Sequence, residues 1–180
     1  MDYPALKLKL LSALFFLFLL GLTSQAQMLD KGTREFAISG NGDIVSGDVS
    51  LYLEPKFGYF AWDNVELGLA GSLNYNENET QVSIGPFAEY NFRTGSKWVP
   101  FVGGAVEWLN ADIDIDSSGV ETDSDGVGFD ASLGLKYFLA DNIAISTRYT
   151  HQWASDDLFT SADEVKDSAG FYVIGMRFYF

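Results

Sequence analysis

The chain has 180 residues, 47% hydrophobic and 16% aromatic, with 25 acids against 11 bases and no cysteine. A formal charge of −14 with no basic cluster sets the chain against phosphate backbones and excludes nucleic-acid binding as a class. The missing cysteine excludes disulfide scaffolds, thiolate metal sites and cysteine nucleophiles. With 18 glycines but only 4 prolines, the composition is neither disordered nor collagen-like, so one packed or membrane-embedded domain is expected.

Lys7 and Lys9 precede an apolar stretch over residues 10–22, and Ser24-Gln25-Ala26 places small residues before a cleavage point. This pattern predicts a secretory signal peptide over residues 1–26. A membrane helix would need about 20 apolar residues, and polar residues begin here at Thr23. The remaining residues, 27–180, are expected to form one domain.

In that domain the apolar residues recur with a period of two. Residues 65–75 put Val65, Leu67, Leu69, Leu73 and Tyr75 on one face and Glu66, Gly68, Ala70, Ser72 and Asn74 on the other, the signature of a β-strand. The same alternation predicts strands over 36–40, 49–59, 82–92, 100–108, 127–137, 143–153 and 170–180. Trp62-Asp63-Asn64, Thr94-Gly95-Ser96-Lys97 and Ala140-Asp141-Asn142 read as tight turns. Residues 41–47, 76–80, 110–125 and 155–167 read as longer polar loops. Long and short links alternate, as in an antiparallel meander whose two rims face different compartments. Tyr59-Phe60-Ala61-Trp62-Asp63-Asn64-Val65 is echoed by Tyr137-Phe138-Leu139-Ala140-Asp141-Asn142-Ile143, one hairpin recipe used twice. The predicted fold is all-β: an eight-stranded antiparallel up-and-down transmembrane barrel with short turns at one rim and longer loops at the other.

The polar face decides between a soluble and a membrane barrel. It mixes Gly58, Gly68, Ala70, Gly85, Gly103, Ala105, Gly128, Gly134, Ala144 and Gly175 with Phe60, Phe87, Phe101 and Phe138. Small and large residues together suit a narrow interior filled by side chains. The same parity places six acids (Glu35, Glu54, Glu66, Glu89, Glu107, Asp130) and five bases (Lys56, Arg93, Lys136, Arg148, Arg177) in the lumen, where near-equal opposite charges can pair. Closure should bring Glu35 and Arg177 together. The apolar face carries no Asp, Glu, Lys or Arg, consistent with lipid contact, since a base there costs about 2–4 kcal/mol at the midplane. Aromatics bunch at strand ends: Phe57, Tyr59, Trp62, Tyr90, Phe92, Trp98, Tyr137, Phe178 and Phe180 at the short-turn rim, and Tyr75, Trp108 and Trp153 at the other. Such girdles mark membrane interfaces.

The last residues, Val173-Ile174-Gly175-Met176-Arg177-Phe178-Tyr179-Phe180, look like the assembly signal of outer-membrane barrels, matched at Gly175, Phe178 and Phe180, with Val173 at a usually polar first position. With Ser83-Ile84-Gly85-Pro86-Phe87, Val99-Pro100-Phe101-Val102-Gly103-Gly104 and the two Asp-Asn turns, the domain resembles the small outer-membrane β-barrel proteins of the OmpX/OmpW/OmpA-barrel type, often labelled a porin family. The resemblance implies a bacterial outer-membrane location, contact with lipid and lipopolysaccharide, and delivery by periplasmic chaperones and the barrel assembly machinery. It implies no substrate, and no cofactor, metal or catalytic residue is expected; a monomer is.

Two motifs invite chemistry and fall short of it. One family of lipid-A-modifying barrel enzymes carries a serine two residues after an outward histidine; here His151 is followed at that position by Trp153, so the required base-to-hydroxyl reach is missing on one strand. Asp112, Asp114, Asp116 and Asp123 match four positions of a calcium loop, but Ser117 stands where the sharp turn needs glycine, and Asp123 where a bidentate Glu closes the site. A strand extension running into a solvated acidic loop is the better reading. The loops are strongly acidic as a set, through residues such as Asp43, Glu77, Glu121, Asp156 and Glu164; they should attract basic partners and meet lipopolysaccharide through bridging cations. Function is thus expected to be structural, with surface contacts made by the loops of a plugged barrel; a narrow porin-like channel for ions or small hydrophobic solutes is the alternative and a lipid-A-modifying enzyme a remote one. An eight-stranded lumen holding eleven charges and four phenylalanines favours the plugged form.

Overall fold

A computed structural model describes residues 28–45, 48–76, 79–115, 120–154, 159–161, 164–166 and 168–180. The expected signal segment, 1–26, lies outside them. The strands are β1 (Arg34–Val45), β2 (Asp48–Trp62), β3 (Val65–Asn76), β4 (Glu79–Asn91), β5 (Trp98–Ile115), β6 (Val120–Ala140), β7 (Ile143–Ala154), β8 (Phe159–Ser161), β9 (Glu164–Lys166) and β10 (Ser168–Tyr179). β1 to β7 and β10 form one closed barrel in the order β1-β10-β7-β6-β5-β4-β3-β2, and β8 and β9 form a small separate hairpin. Every neighbouring pair is antiparallel. The eight predicted strands are the eight barrel strands.

Their ends differ from the sequence reading. β1 runs to Val45 and β2 starts at Asp48, while β5 and β6 stay paired from Trp98↔Tyr137 out to Ile115↔Val120. Much of 41–47 and 110–125, expected as loop, is therefore strand. Their polar composition reads as loop, but a ladder is held by backbone hydrogen bonds and needs no apolar face, so pairing continues where composition points to a loop. At about 3.3 Å per residue, the 21 residues of β6 run well beyond the ~25 Å apolar band of a membrane barrel. Only the link between β7 and β10 keeps its length, and it carries β8 and β9. In β5–β6, Asp112 stands opposite Asp123 and Asp114 opposite Glu121.

The tight turns explain the echoed motif. Each copy has a register shift just before its Asp-Asn turn, between Phe60 and Trp62 and between Phe138 and Ala140, the mark of a β-bulge. Both copies then make the same bonds: the Phe60 amide donates to the Thr33 carbonyl and the Phe138 amide to that of Lys97. The carbonyls of Asn64 and Asn142 accept from the amides of Asn91 and Tyr179. Asn64 holds a left-handed φ of 67°, which asparagine tolerates better than most residues. Both phenylalanines keep the inward parity of their strands up to the bulge that follows them, and neither has any exposed surface.

Barrel closure joins β1 to β10 from Glu35↔Tyr179 to Gly40↔Ile174. Among the described residues no further pair continues this seam beyond Gly40, and the Asn41 Nδ2 donates across it to the Tyr172 carbonyl at 2.8 Å. The outward face is apolar over the whole waist, with Leu69, Ile84, Val102, Leu133 and Ile174 exposed. Aromatic pairs edge it, including Tyr90–Phe92 (centroids 4.9 Å apart) and Trp98–Tyr137 (4.5 Å) near the turn rim. Before β1, residues 28–33 fold under the turn rim: Asn64 donates to the Leu29 carbonyl, Gly32 to that of Phe60, and Lys31 to the Asp63 side chain.

Candidate functional site

The inside of the barrel is the candidate site, and it is layered. At the turn rim Leu29, Phe60, Val99, Phe138, Ala144 and Tyr179 form a buried apolar cluster. Tyr179 lies at its centre, its ring 5.2 Å from that of Phe138 and 6.3 Å from that of Phe60. Tyr179 follows from the parity of Val173, Gly175 and Arg177 in β10, although only its outward neighbours stood out in the sequence. Leu29 carries no such signal, because it precedes the first strand and belongs to no alternating run.

Above this stopper is a charged layer of three carboxylates and two bases. The Arg177 Nη1 donates to Glu35 Oε1 at 2.9 Å and to Glu89 Oε1 at 3.0 Å, and its Nε donates to Ser146 Oγ at 3.1 Å. Lys136 Nζ lies 2.6 Å from Glu89 Oε1, 3.2 Å from Glu35 Oε2 and 3.8 Å from Glu66 Oε2. Phe101 underlies both cations, with its ring centre 4.6 Å from Arg177 Cζ and 5.2 Å from Lys136 Nζ, a cation–π arrangement strengthened by the burial of both cations. Glycine makes the layer possible at two points: a Cβ on Gly134 would overlap the Phe101 ring, and one on Gly58 would overlap the Glu66 carboxylate. Lys136 and Glu66 have no exposed surface, and neither carboxylate oxygen of Glu66 has a hydrogen-bond partner.

The next layer centres on Glu54, which pairs with Lys56 at 3.1 Å and with Arg148 Nη2, and accepts a hydrogen bond from the Tyr52 hydroxyl at 2.7 Å. Lys56 Nζ sits 4.9 Å over the Phe87 ring, and Phe87 packs with Ala70 and Ala105. Glu107 lies higher, taking hydrogen bonds from Ser83 Oγ at 2.9 Å and Gln152 Nε2 at 3.3 Å. Asp130 is half-buried, opposite Ala105 on one side and Gln152 on the other.

Ten of the eleven charges assigned to the lumen by parity thus lie within it, with Glu35 and Arg177 in contact. Arg93 does not. β4 ends at Asn91, so the alternation that pointed Arg93 inward stops two residues short; Arg93 is exposed and pairs with Asp30 of the N-terminal segment at 2.7 Å. Asn91 is the last inward residue of β4 and is fully buried. Among the described residues the lumen therefore holds six acids and four bases. Val173 points inward and Phe178 and Phe180 outward, against Phe36 and Phe57, while Gly175 faces Ser39. His151 faces out with its ring 4.5 Å from that of Trp153.

A closed antiparallel barrel with an apolar outer waist, aromatic rims and a charged interior is a membrane-spanning β-barrel. Residues 16–179 match the family model for the outer membrane protein beta-barrel domain, and the chain belongs to that family, whose place is the bacterial outer membrane. Among solved structures it is similar to the N-terminal β-barrel domain of OprF from Pseudomonas aeruginosa, at 17% identity over 83% of this chain and 98% of that one, with a TM-score of 0.63. Neisserial surface protein A is similar at 18% identity, 82% and 96% coverage and a TM-score of 0.59. OprG from Pseudomonas aeruginosa is similar at 16% identity, 87% and 99% coverage and a TM-score of 0.55. At these identities the likeness is one of fold. No curated protein matches the chain.

Proposed function

We propose that this outer-membrane barrel is a structural and surface-interaction protein of the Gram-negative envelope, a plugged, monomeric, non-catalytic scaffold that meets its surroundings through its acidic outer loops. The observation that supports this reading is the pair of successive layers across the lumen. The apolar stopper around Tyr179 is followed directly by the Arg177–Lys136 layer, whose side chains are almost wholly buried. An ion crossing there would have to displace paired charges in a low-dielectric interior, which costs several kcal/mol per group exposed. On the outer face, His151 packs on Trp153, an interfacial aromatic contact with no nucleophile in it.

The partners follow from location and charge. Outer-membrane lipid and lipopolysaccharide surround the barrel, the latter met through divalent cations that offset the acidic loops. Periplasmic chaperones and the assembly machinery deliver it, reading Gly175, Phe178 and Phe180. Conductance of the refolded protein in a planar bilayer tests the proposal, with mobility of the unboiled protein on a gel showing that the barrel has formed. A formed barrel that stays silent is the expected result. Stable unitary steps would overturn the plugged reading in favour of a narrow channel, with Glu54, Lys56, Arg148 and Arg177 as its selectivity groups.

A further inference from the structure

Above the Glu54 and Glu107 layer the lumen widens into a cavity of about 180 Å³, large enough for about six waters, and its chemistry differs from everything beneath it. Its walls carry Tyr52, Ser72, Asn74, Gln81, Gln152 and Phe171, with no charged side chain among the described residues that line it. We infer that this outer cup is a binding site for a neutral, monosaccharide-sized polyol taken from the external medium. The inference goes beyond the scaffold role, which makes no use of the cup.

Three features of the cup select that class. First, its polar groups are held from below. The Tyr52 hydroxyl donates to Glu54, Gln152 Nε2 donates to Glu107, and the Ser72 and Ser83 hydroxyls are 2.6 Å apart in a chain that ends on Glu107. Those donors are committed downward, which leaves acceptors, including the Gln152 carbonyl, for a guest. Secondly, Gln81 is more than nine-tenths buried and its Nε2 has no partner among the described residues, a free donor that a cation could not satisfy. A guest must therefore donate to several acceptors and accept from at least one donor, and hydroxyl groups do both. Thirdly, the Tyr52 and Phe171 rings lie 5.1 Å apart at one side, an aromatic wall for the C–H face of a sugar ring.

The cup lies at the outer end of the seam: among the described residues β1 and β10 pair no further than Gly40 and Ile174, Asn41 bridges to the Tyr172 carbonyl, and Asn41, Ala169 and Phe171 line the cup there. The stopper and the charged layer close the other end, so the cup holds its guest without passing it on.

Saturation-transfer NMR on the refolded protein, titrated separately with glucose, galactose, mannose and tetramethylammonium, tests the inference. A polyol of this size in a preformed cup should bind weakly, with Kd on the order of 1 mM. Saturable transfer from at least one sugar is expected, at least about tenfold weaker in Gln81→Leu and absent in Ala169→Phe, which fills the cup from the opposite wall. Both variants should keep the gel mobility of the folded barrel; if one does not, the other decides. No saturable signal from any sugar, equal sugar binding in a folded variant, or binding of tetramethylammonium alone would overturn the inference. Conductance is untouched by any of these outcomes, so the scaffold reading stands or falls separately.

Discussion

Glu66 is the one carboxylate of the lower charged layer that the layer does not need. Glu35 and Glu89 each meet both Arg177 and Lys136, whereas Glu66 reaches only Lys136, at 3.8 Å. Glu66→Gln removes an attraction of about 4 kcal/mol at an effective dielectric of 20. It also removes repulsion from two neighbouring carboxylates and a desolvation cost of several kcal/mol. These terms cancel or slightly favour the variant, so its stability should lie between unchanged and about 2 kcal/mol higher. Lys136→Met acts oppositely: it leaves three buried carboxylates to share Arg177 and should cost about 3–5 kcal/mol. Adding Glu66→Gln to it should recover at least about 1 kcal/mol, because the residual layer then has two carboxylates instead of three, a coupling of the size expected between neighbours. The assay is urea-dependent unfolding in lipid vesicles, read by tryptophan fluorescence and by gel mobility without boiling. A loss above about 2 kcal/mol in Glu66→Gln, or no recovery in the double variant, would refute the charge accounting.

Phe138→Ala opens the stopper beneath Tyr179 and should cost about 3–5 kcal/mol in the same unfolding assay; a loss under about 1 kcal/mol would show that the cluster does not hold the turn rim. Gly134→Ala forces Phe101 off the two cations and should lower refolding yield, whereas Gly32→Ala, whose Cβ meets nothing within 4 Å but whose φ is 98°, should show only a backbone penalty of about 1–2 kcal/mol. Glu35→Gln should reduce folding yield by leaving Arg177 and Lys136 with one partner fewer, and an unchanged yield would count against the Glu35–Arg177 pair. Phe180→Ala should reduce assembly in cells but leave refolding from urea intact, since Phe180 is exposed and packs only loosely on Phe57 at 6.4 Å; equal loss in both would assign Phe180 to stability instead of recognition.

The parts of the fold that were legible in the sequence are those where lipid and lumen press on opposite faces of one strand. There, period two is enforced, and Glu66, Glu89 or Arg177 could be assigned to the inside by counting. Where that pressure ends, the count fails in both directions. Arg93 was carried inward past the end of β4, and the polar halves of β5 and β6 were given to a loop although their backbones stay paired. The Asp-Asn turns are legible and parity alone sends Phe60 and Phe138 inward, but the bulge that follows each of them is not legible, because a bulge is one residue in a register that only the partner strand reveals. The outer cup is hidden for a related reason: its lining comes from seven strands, and nothing in any one of them sets Gln81 or Phe171 apart.

The seam has a consequence for how the barrel comes together and apart. Each of the other ladders joins strands that follow one another along the chain or nearly so, but β1 and β10 sit at opposite ends of it, and their pairing must wait for everything between. This last ladder is also short, ending at Gly40 and Ile174, while Arg177 grips Glu35 at its turn-rim end and Leu29 is buried against Tyr179 just below. The barrel is thus fastened like a garment with a clasp at one hem. A pull on the two strands from the outer rim meets an open edge first and only a few ladder bonds after it. The force then climbs sharply at the Arg177 layer, where the unzipping front has to part an ion pair and an apolar knot at once.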